Sequence, residues 1–165
     1  MKLTEIWNST APISWTQLDH QHRGIFEHRG QRYVIVIDEY ETDDGKTIVD
    51  VGFAAIVNGR DDLSLRAESG NAASIYGIVI NALKQKLTEL APTIIVFSAQ
   101  QTISGFKSRL SMYEQVAKWI ERKGLTGRRL TFTASNGSRY WIFIMKPIKE
   151  TDDELMKFIV DHFQK

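Results

Sequence analysis

The stretch that decides the fold is LRAESGNAASIYGIVINALKQKLTELA, from Leu65 to Ala91. Its first residues alternate apolar with polar side chains, as a half-exposed strand does, and a turn follows at 69–71. From 72 to 90 apolar residues recur at helical spacing, which predicts a long amphipathic helix that Pro92 stops. A strand that turns directly into a helix offers unpaired backbone N–H groups and a positive dipole end. Both favour an anionic ligand, so the search for a site starts at this turn.

Strands and two further helices surround this stretch. Upstream, residues 15–22 match no element, a hairpin is predicted from 24–28 and 31–41, and another strand over 47–58 follows a turn with Asp-Gly at its centre. A second turn at 58–62 leads to an alternating, half-exposed strand over 63–68. Downstream come a continuously apolar strand at 93–99, a helix over 104–123 and a hairpin from 130–134 and 140–146. A capping box at 151–154 opens a final helix. This order predicts an α/β chain of the α+β type, with an antiparallel meander in a mixed central sheet and helices on both faces.

Length and composition are those of one globular domain. The chain has 165 residues, 42% hydrophobic and 25% charged, with a formal net charge of +1. That charge gives no global argument for a nucleic-acid or membrane partner. The absence of cysteine excludes a cysteine nucleophile, a thiolate zinc site and a disulfide framework. We expect a single domain over 1–165 with an atypical N-terminal segment over 1–30. With no signal peptide or membrane-length apolar run, we expect a cytoplasmic location.

Short segments on either side of the apolar strand carry a resemblance to a known family. Gly70-Asn71-Ala72 matches the Gly-x-Ala end of a pyrophosphate-binding turn, although the basic residue upstream, Arg66, lies one position further away than usual. Met112-Tyr113-Glu114, followed by Gly124, is similar to a later helix of the same family. Together with the element order, these segments resemble the GCN5-related N-acetyltransferase (GNAT) family. Residues 68–72 and 97–99, with Ser108-Arg109 ahead of Tyr113, also resemble uncharacterised GNAT-like proteins of bacteriophages. If a phage encodes the chain, the resemblance implies a location in the host cytoplasm. The resemblance covers about residues 31–146 and implies a GNAT-like fold.

The resemblance implies an acyl-CoA-dependent N-acyltransferase with acetyl-CoA as co-substrate. A small-molecule or protein amine would attack the thioester directly, and Tyr113 would protonate the departing thiolate. The attacking ammonium must first lose a proton. Glu68 is the carboxylate nearest to the turn in sequence and is the candidate relay, and Glu39 and Glu41 are further candidates. The residues expected to hold the coenzyme pyrophosphate are Arg66, Ser69, Gly70, Asn71, Ala72, Ala73, Lys107 and Arg109.

Each of these residues also has a structural interpretation. The turn is equally an ordinary strand-to-helix connection in which Ser69 or Asn71 caps the helix. Tyr113 shares a stripe with apolar residues, which is typical of a core tyrosine with its hydroxyl at the rim. Glu68 is equally a strand-face charge. The alternative function is therefore a non-catalytic GNAT-like binding module, such as a phage accessory protein that engages a host protein or a nucleic acid.

A cluster of basic residues lies on and after the second predicted helix. Between 106 and 129 seven lysines and arginines accompany two glutamates. A nucleic-acid surface is one interpretation, and a solvated helix face with cations suited to the C-terminal dipole is the more ordinary one. The residues of this cluster beyond Lys107 and Arg109 are Lys118, Arg122, Lys123, Arg128 and Arg129.

Motifs for other chemistries are weak. Asp19-His20-Gln21-His22 places two histidines on one face if it is extended, but no third ligand follows at a recognisable spacing. We therefore predict no metal site. The chain has no Gly-x-Ser-x-Gly elbow, no full P-loop and no His-Glu-x-x-His, which disfavours hydrolase, nucleotidase and metalloprotease functions.

Overall fold

The structure is a computed structural model that describes residues 11–62, 72–99, 106–122, 128–135, 137–146 and 148–163, without the side chains of 72–73, 99, 106–110 and 163. Its strands are β1 (Ser14–Leu18), β2 (Gln21–His28), β3 (Gln31–Glu41), β4 (Thr47–Val57), β5 (Arg60–Asp62), β6 (Ile94–Ala99), β7 (Arg128–Thr133) and β8 (Arg139–Ile144). Its helices are α1 (Ala72–Leu90), α2 (Phe106–Arg122) and α3 (Asp152–Phe163).

The described strands form one sheet that is antiparallel except at one place. The order across the sheet is β1-β2-β3-β4-β6-β8-β7, and the short β5 pairs with β4 off this path. β4 and β6 pair in parallel over Ile48–Val51 and Ile94–Phe97. The other pairs are antiparallel. A parallel pair needs a crossover connection, and α1 provides it.

The predicted α/β class with a GNAT-like fold is wrong. The described chain is dominated by an eight-stranded, mostly antiparallel sheet with three helices, which makes it an α+β protein rich in β-structure. Part of the difference lies in the N-terminal part, where the sequence pattern of 15–22 (WTQLDHQH) predicts no strand. That segment contributes to β1 and β2. β1 is an exposed edge strand, so its sequence lacks the apolar alternation that reveals a half-buried strand.

Several individual elements agree with their predicted positions. The predicted helix over 72–90 coincides with α1, and the apolar strand coincides with β6 within one residue. One predicted turn, at 58–62, is only partly a turn: Asn58 and Gly59 have positive φ, as a two-residue hairpin loop requires, and β5 follows at once. The strand predicted over 63–68 lies outside the described residues.

The sheet separates two apolar clusters. One cluster packs α1 and α2 against residues such as Val49, Val51 and Phe97, and the other packs α3 against Ile48, Val96 and their neighbours. Neighbouring residues along a strand belong to different clusters because their side chains point to opposite faces. β6 contributes to both clusters, which confirms the prediction that it is covered on both faces.

The edge strand β1 is held by an aromatic contact. Trp15 lies directly over Gly24 of β2, where an added Cβ would come within 2.8 Å of the indole ring. The ammonium of Lys86, on α1, lies 4.9 Å from the centre of the same ring. Glycine at position 24 therefore lets the indole close onto the sheet and meet α1.

Candidate functional site

The parallel pair marks the place where the sheet opens. Pairing between β4 and β6 ends at Val51 and Phe97. Beyond it, β4 pairs with β5 through 55–57, while β6 continues beside β8 to Ala99. The two strands therefore part at Gly52. In open α/β sheets, ligands bind in the crevice outside the carboxyl ends of parallel strands, where the connections diverge. This single crossover has the same local arrangement.

Both long helices begin at this end of the sheet. α1 follows β4 and β5, and α2 follows β6, so each helix starts near the carboxyl end of one parallel strand. The N-terminus of a helix carries unpaired N–H groups and the positive end of the dipole. Neither helix has an acidic residue in its first turn, and the backbone places Lys107 and Arg109 in the first turn of α2. The arrangement suits a large anion between the two helix starts.

Most of the predicted pyrophosphate turn lies outside the described residues. This holds for Arg66, Glu68, Ser69, Gly70 and Asn71. The backbone of Ala72 and Ala73 forms the first residues of α1, which confirms the predicted helix start. The coenzyme-binding roles of all these residues stay predictions.

Tyr113 lies in the interior, only 1% exposed. Its ring centre is 5.1 Å from that of Phe97 and 5.7 Å from that of Trp141. Phe97 is the last residue of β6 that pairs with β4, so Tyr113 packs beneath the point where the strands part. The burial agrees with the structural interpretation of Tyr113 as a core residue, and its role as an acid stays a prediction.

The residue after Tyr113 joins β7 and β8 to α2. Glu114 accepts hydrogen bonds from the Trp141 indole at 2.6 Å and from the Arg129 guanidinium at 2.8 Å. Burial acts to raise the pKa of Glu114, but these two hydrogen bonds and the charge of Arg129 outweigh it and hold the pKa below its usual value. Glu114 is therefore a structural anion at the rim of the core.

A pair of carboxyl groups that the sequence analysis missed lies beside the opening. Asp38 of β3 and Asp50 of β4 are direct cross-strand partners and share the face on which α3 packs. Asp50 is level with Val96 of β6, one residue before the parallel pairing ends. Gln21 donates a hydrogen bond to Asp38 at 2.8 Å. The sequence contains one signal for this pair. Asp38 and Asp50 are equally distant along the chain from Asp44 of the predicted Asp-Gly turn, and a regular hairpin pairs residues that are equally distant from its turn.

The surroundings of Asp50 change its acidity. Burial, together with the negative charge of Asp38, raises the pKa of Asp50 to about 7. Burial, followed by the charges of the same two aspartates, also raises the pKa of Tyr40. A carboxyl group with a pKa near 7 exchanges its proton at neutral pH, which is the property that a general base needs.

Two residues of the basic cluster, Arg128 and Arg129, form ion pairs within the described chain. Arg129 bonds Glu121 as well as Glu114, each at 2.8 Å, and Arg128 lies 3.0 Å from Asp152 of α3. The guanidinium of Arg122 donates to a backbone carbonyl one turn back in α2. Lys118 and Arg122 are exposed, and Lys123 lies outside the described residues. Nucleic-acid binding by this cluster stays a prediction that the ion pairs do not favour.

The two N-terminal histidines differ in environment. His22 is 4% exposed, and its Nε2 lies 2.8 Å from a carboxylate oxygen of Glu39, whereas His20 is exposed. Among the described residues, no group of three or more His, Asp or Glu side chains is arranged to hold a metal ion. The buried imidazole therefore has a carboxylate partner within the sheet.

Two further findings concern the chain as a whole. None of the helices in the described ranges is both long enough and apolar enough to span a bilayer. Comparison of the chain with protein-family models gave no match, and neither did comparison with curated proteins.

Proposed function

We propose that the protein is an acyl-CoA-dependent N-acyltransferase that transfers an acetyl group from acetyl-CoA to an amine. The observation that carries the proposal is the parting of β4 and β6 at Gly52, at the end of the sheet where α1 and α2 begin. Strands that part leave backbone N–H and C=O groups for another extended chain. The amide-containing pantetheine arm of coenzyme A has that character, and its pyrophosphate suits the helix starts.

The pyrophosphate would lie against 69–73, where Ala72 starts α1. Arg66, Lys107 and Arg109 would add positive charge to this contact. The acceptor would be a small-molecule or protein amine, and the activity would take place in the cytoplasm, where acetyl-CoA is available.

The reaction needs an acceptor for one proton. An ammonium loses a proton, its nitrogen attacks the thioester carbonyl, the C–N bond forms and the C–S bond breaks as the thiolate leaves. Asp50, with its pKa of about 7 and its place beside the opening, is the described carboxyl group best suited to accept that proton. Glu68 remains the candidate outside the described residues. Tyr113 would give a proton to the thiolate and would be reprotonated by the second proton, which leaves the nitrogen as the amide forms.

A thermal-shift titration with acetyl-CoA tests the binding step. We expect the melting temperature to rise with acetyl-CoA, because a ligand at 100 times its Kd adds about 2.7 kcal/mol to the stability of the native state. The double variant Lys107→Glu with Arg109→Glu should lose this shift. The matched control, Lys118→Glu with Arg122→Glu, makes the same charge change at the other end of α2 and should keep it. No shift at millimolar acetyl-CoA would refute the proposal.

The second candidate is a binding module without catalysis. The burial of Tyr113 favours it, because a side chain packed between Phe97 and Trp141 acts as part of the core. Release of free coenzyme A thiol in the presence of an amine panel separates the two candidates. Binding of acetyl-CoA without thiol release for any amine would favour the module. Salt-sensitive DNA or RNA binding that Lys118→Glu with Arg122→Glu abolishes would identify a nucleic-acid partner.

A further inference from the structure

A second concave site lies at the opposite end of the sheet. A pocket of about 540 Å³ forms where β3 runs into the turn to β4, with α3 on one side. Glu41, at this end, pairs with Thr47 at the start of β4, whereas β4 and β6 part five residues later at Gly52. At roughly 3.3 Å per residue, the two places are about 17 Å apart. The pocket is therefore separate from the proposed coenzyme site.

Four aromatic side chains, counting the imidazoles, line the pocket; one is the exposed His20, and the other three contact one another. Tyr40 meets His162 edge-on, with ring centres 4.7 Å apart and an angle of 85° between the rings. Phe158, one turn earlier on α3, stacks on His162 with ring centres 5.6 Å apart. Phe158 is 40% exposed, one of two large apolar side chains that are exposed in the described chain. Together the rings form a corner that opens toward solvent.

Carboxylates line the remaining wall. Two of them already have cationic or imidazole partners: Asp44 bonds Lys46, and Glu39 bonds His22. In the part of the chain that the structure describes, Glu41 and Asp43 have no such partner. Among the described residues that line the pocket, none is a lysine or an arginine. The wall therefore carries negative charge that the described chain does not neutralise.

We propose that this pocket binds an organic cation, an alkylammonium or guanidinium group, between the aromatic corner of Tyr40, Phe158 and His162 and the carboxylates of Glu41 and Asp43. The face of an aromatic ring attracts a cation through its quadrupole, and a carboxylate nearby adds direct attraction. Apolar rings also cover the carbon atoms of the ligand, which a simple inorganic ion does not have. This combination selects an organic cation over a metal ion.

Amide NMR titration of the full chain tests the proposal with defined probes. Choline, n-butylammonium and N-ethylguanidinium carry the cation, and 3,3-dimethylbutan-1-ol is the neutral isostere of choline. We expect at least one cation to shift the resonances of 40–43 and 158–162, and the isostere to leave them unchanged. The proposal is overturned if the isostere binds as tightly as choline, or if no cation causes shifts there up to about 50 mM.

Two sets of variants locate the binding. Phe158→Ala, and separately the double variant Glu41→Gln with Asp43→Asn, should each weaken cation binding about tenfold, because each removes one of the two attractions. The matched control, Glu27→Gln with Glu89→Gln, removes two exposed negative charges elsewhere and should leave the affinity unchanged. All these side chains are exposed, so the melting temperatures should stay close to that of the parent chain. Equal loss of binding in the control variant would show a general charge effect and overturn the site.

Discussion

β4 and β6 are neighbours, but the face on which α3 packs differs between them. On β6 this face is dry: Ile94 and Val96 are fully buried in the cluster under α3. On β4, level with Val96, it carries Asp50, and the next strand adds Asp38. Two like charges placed directly opposite each other destabilise a sheet. α3 therefore covers one half of this face, the dry half at Ile94 and Val96. The other half, the polar half, carries Asp38 and Asp50 beside the opening.

The largest loss of stability is expected from a carboxyl group placed in the dry half. Val96→Asp would bury a third carboxyl group beside Asp50, within the apolar cluster beneath α3. We expect a loss of about 4 kcal/mol or failure to fold, since an unpaired buried charge is among the most costly substitutions. Urea denaturation measures the loss. Val96→Ala, which keeps the site apolar, should cost clearly less, and an equal cost would show that polarity is not the cause.

The second prediction concerns the pH dependence of stability that Asp50 causes. Its pKa is raised to about 7 in the folded state, from 3.8 in the unfolded state, so between those values the folded chain binds more protons than the unfolded chain. The stability from this group is fully present below pH 4 and is lost as pH rises through 7. The free energy of unfolding of Asp50→Asn should therefore exceed that of the parent chain by an amount that grows between pH 4 and 8 to about 2 kcal/mol. This value is discounted for partial exposure of the side chain.

Free energies of unfolding from urea titrations across this pH range check the prediction. Asp161→Asn, an exposed site on α3, is the control and should show no such trend. A gain from Asp50→Asn that is the same at every pH would contradict the protonated carboxyl.

A third, smaller effect concerns the opposite face of the sheet, on which α1 and α2 pack. Glu114→Gln removes the anion that accepts from Trp141 and Arg129. We expect a loss of about 1.5 kcal/mol, because charge-assisted hydrogen bonds are stronger than neutral ones and this group is partly buried. Differential scanning calorimetry at pH 7 measures it. Glu121→Gln, which keeps the hydrogen bond with the indole intact, should cost less, and the reverse order would contradict the central role of Glu114.

The smallest effect is expected in the polar half. Arg23 of β2 forms a bidentate pair with Asp61 of β5, both nitrogen–oxygen distances being 2.8 Å. The hydrogen bond with Arg23 is the main reason that the pKa of Asp61 is lowered. The stability that the pair contributes is therefore present above pH 4 and is lost as pH falls further. Since both side chains are about one third exposed, Arg23→Met should cost only about 0.5–1 kcal/mol. A loss of stability above that of Glu114→Gln would contradict this order, because the hydrogen bonds of the Arg23–Asp61 pair are more exposed than those that Glu114 accepts.

Local patterns in the sequence were sufficient for the central elements. The helix over 72–90 is predictable because its apolar residues recur at helical spacing and Pro92 stops it, and β6 is predictable because its run is apolar throughout. The Asp-Gly and Asn-Gly turns are predictable because glycine tolerates positive φ, which Gly45 and Gly137 both have. These signals depend on neighbours within a few positions.

The class of the fold and the carboxyl pair depend on contacts between distant residues. β1 is held by Trp15 lying over Gly24, a contact that the sequence of β1 alone does not predict. Asp38 and Asp50 meet only because the hairpin has a regular register. Arg128 of the basic cluster pairs with Asp152 of α3, which lies outside the segment 106–129, so a charge count over that segment does not include this partner.

The position of β6 also bears on the order of folding. β2, β3 and β4 pair through short turns, as do β7 and β8, so these hairpins need little loop closure. β6 pairs on both sides with strands distant in the chain, Ile94 meeting Ile48 on one side and Ile144 on the other. We expect its insertion to be the slow step, because loop-closure entropy must be overcome on both sides. The opening between β4 and β6 would then exist only once this last strand is in place.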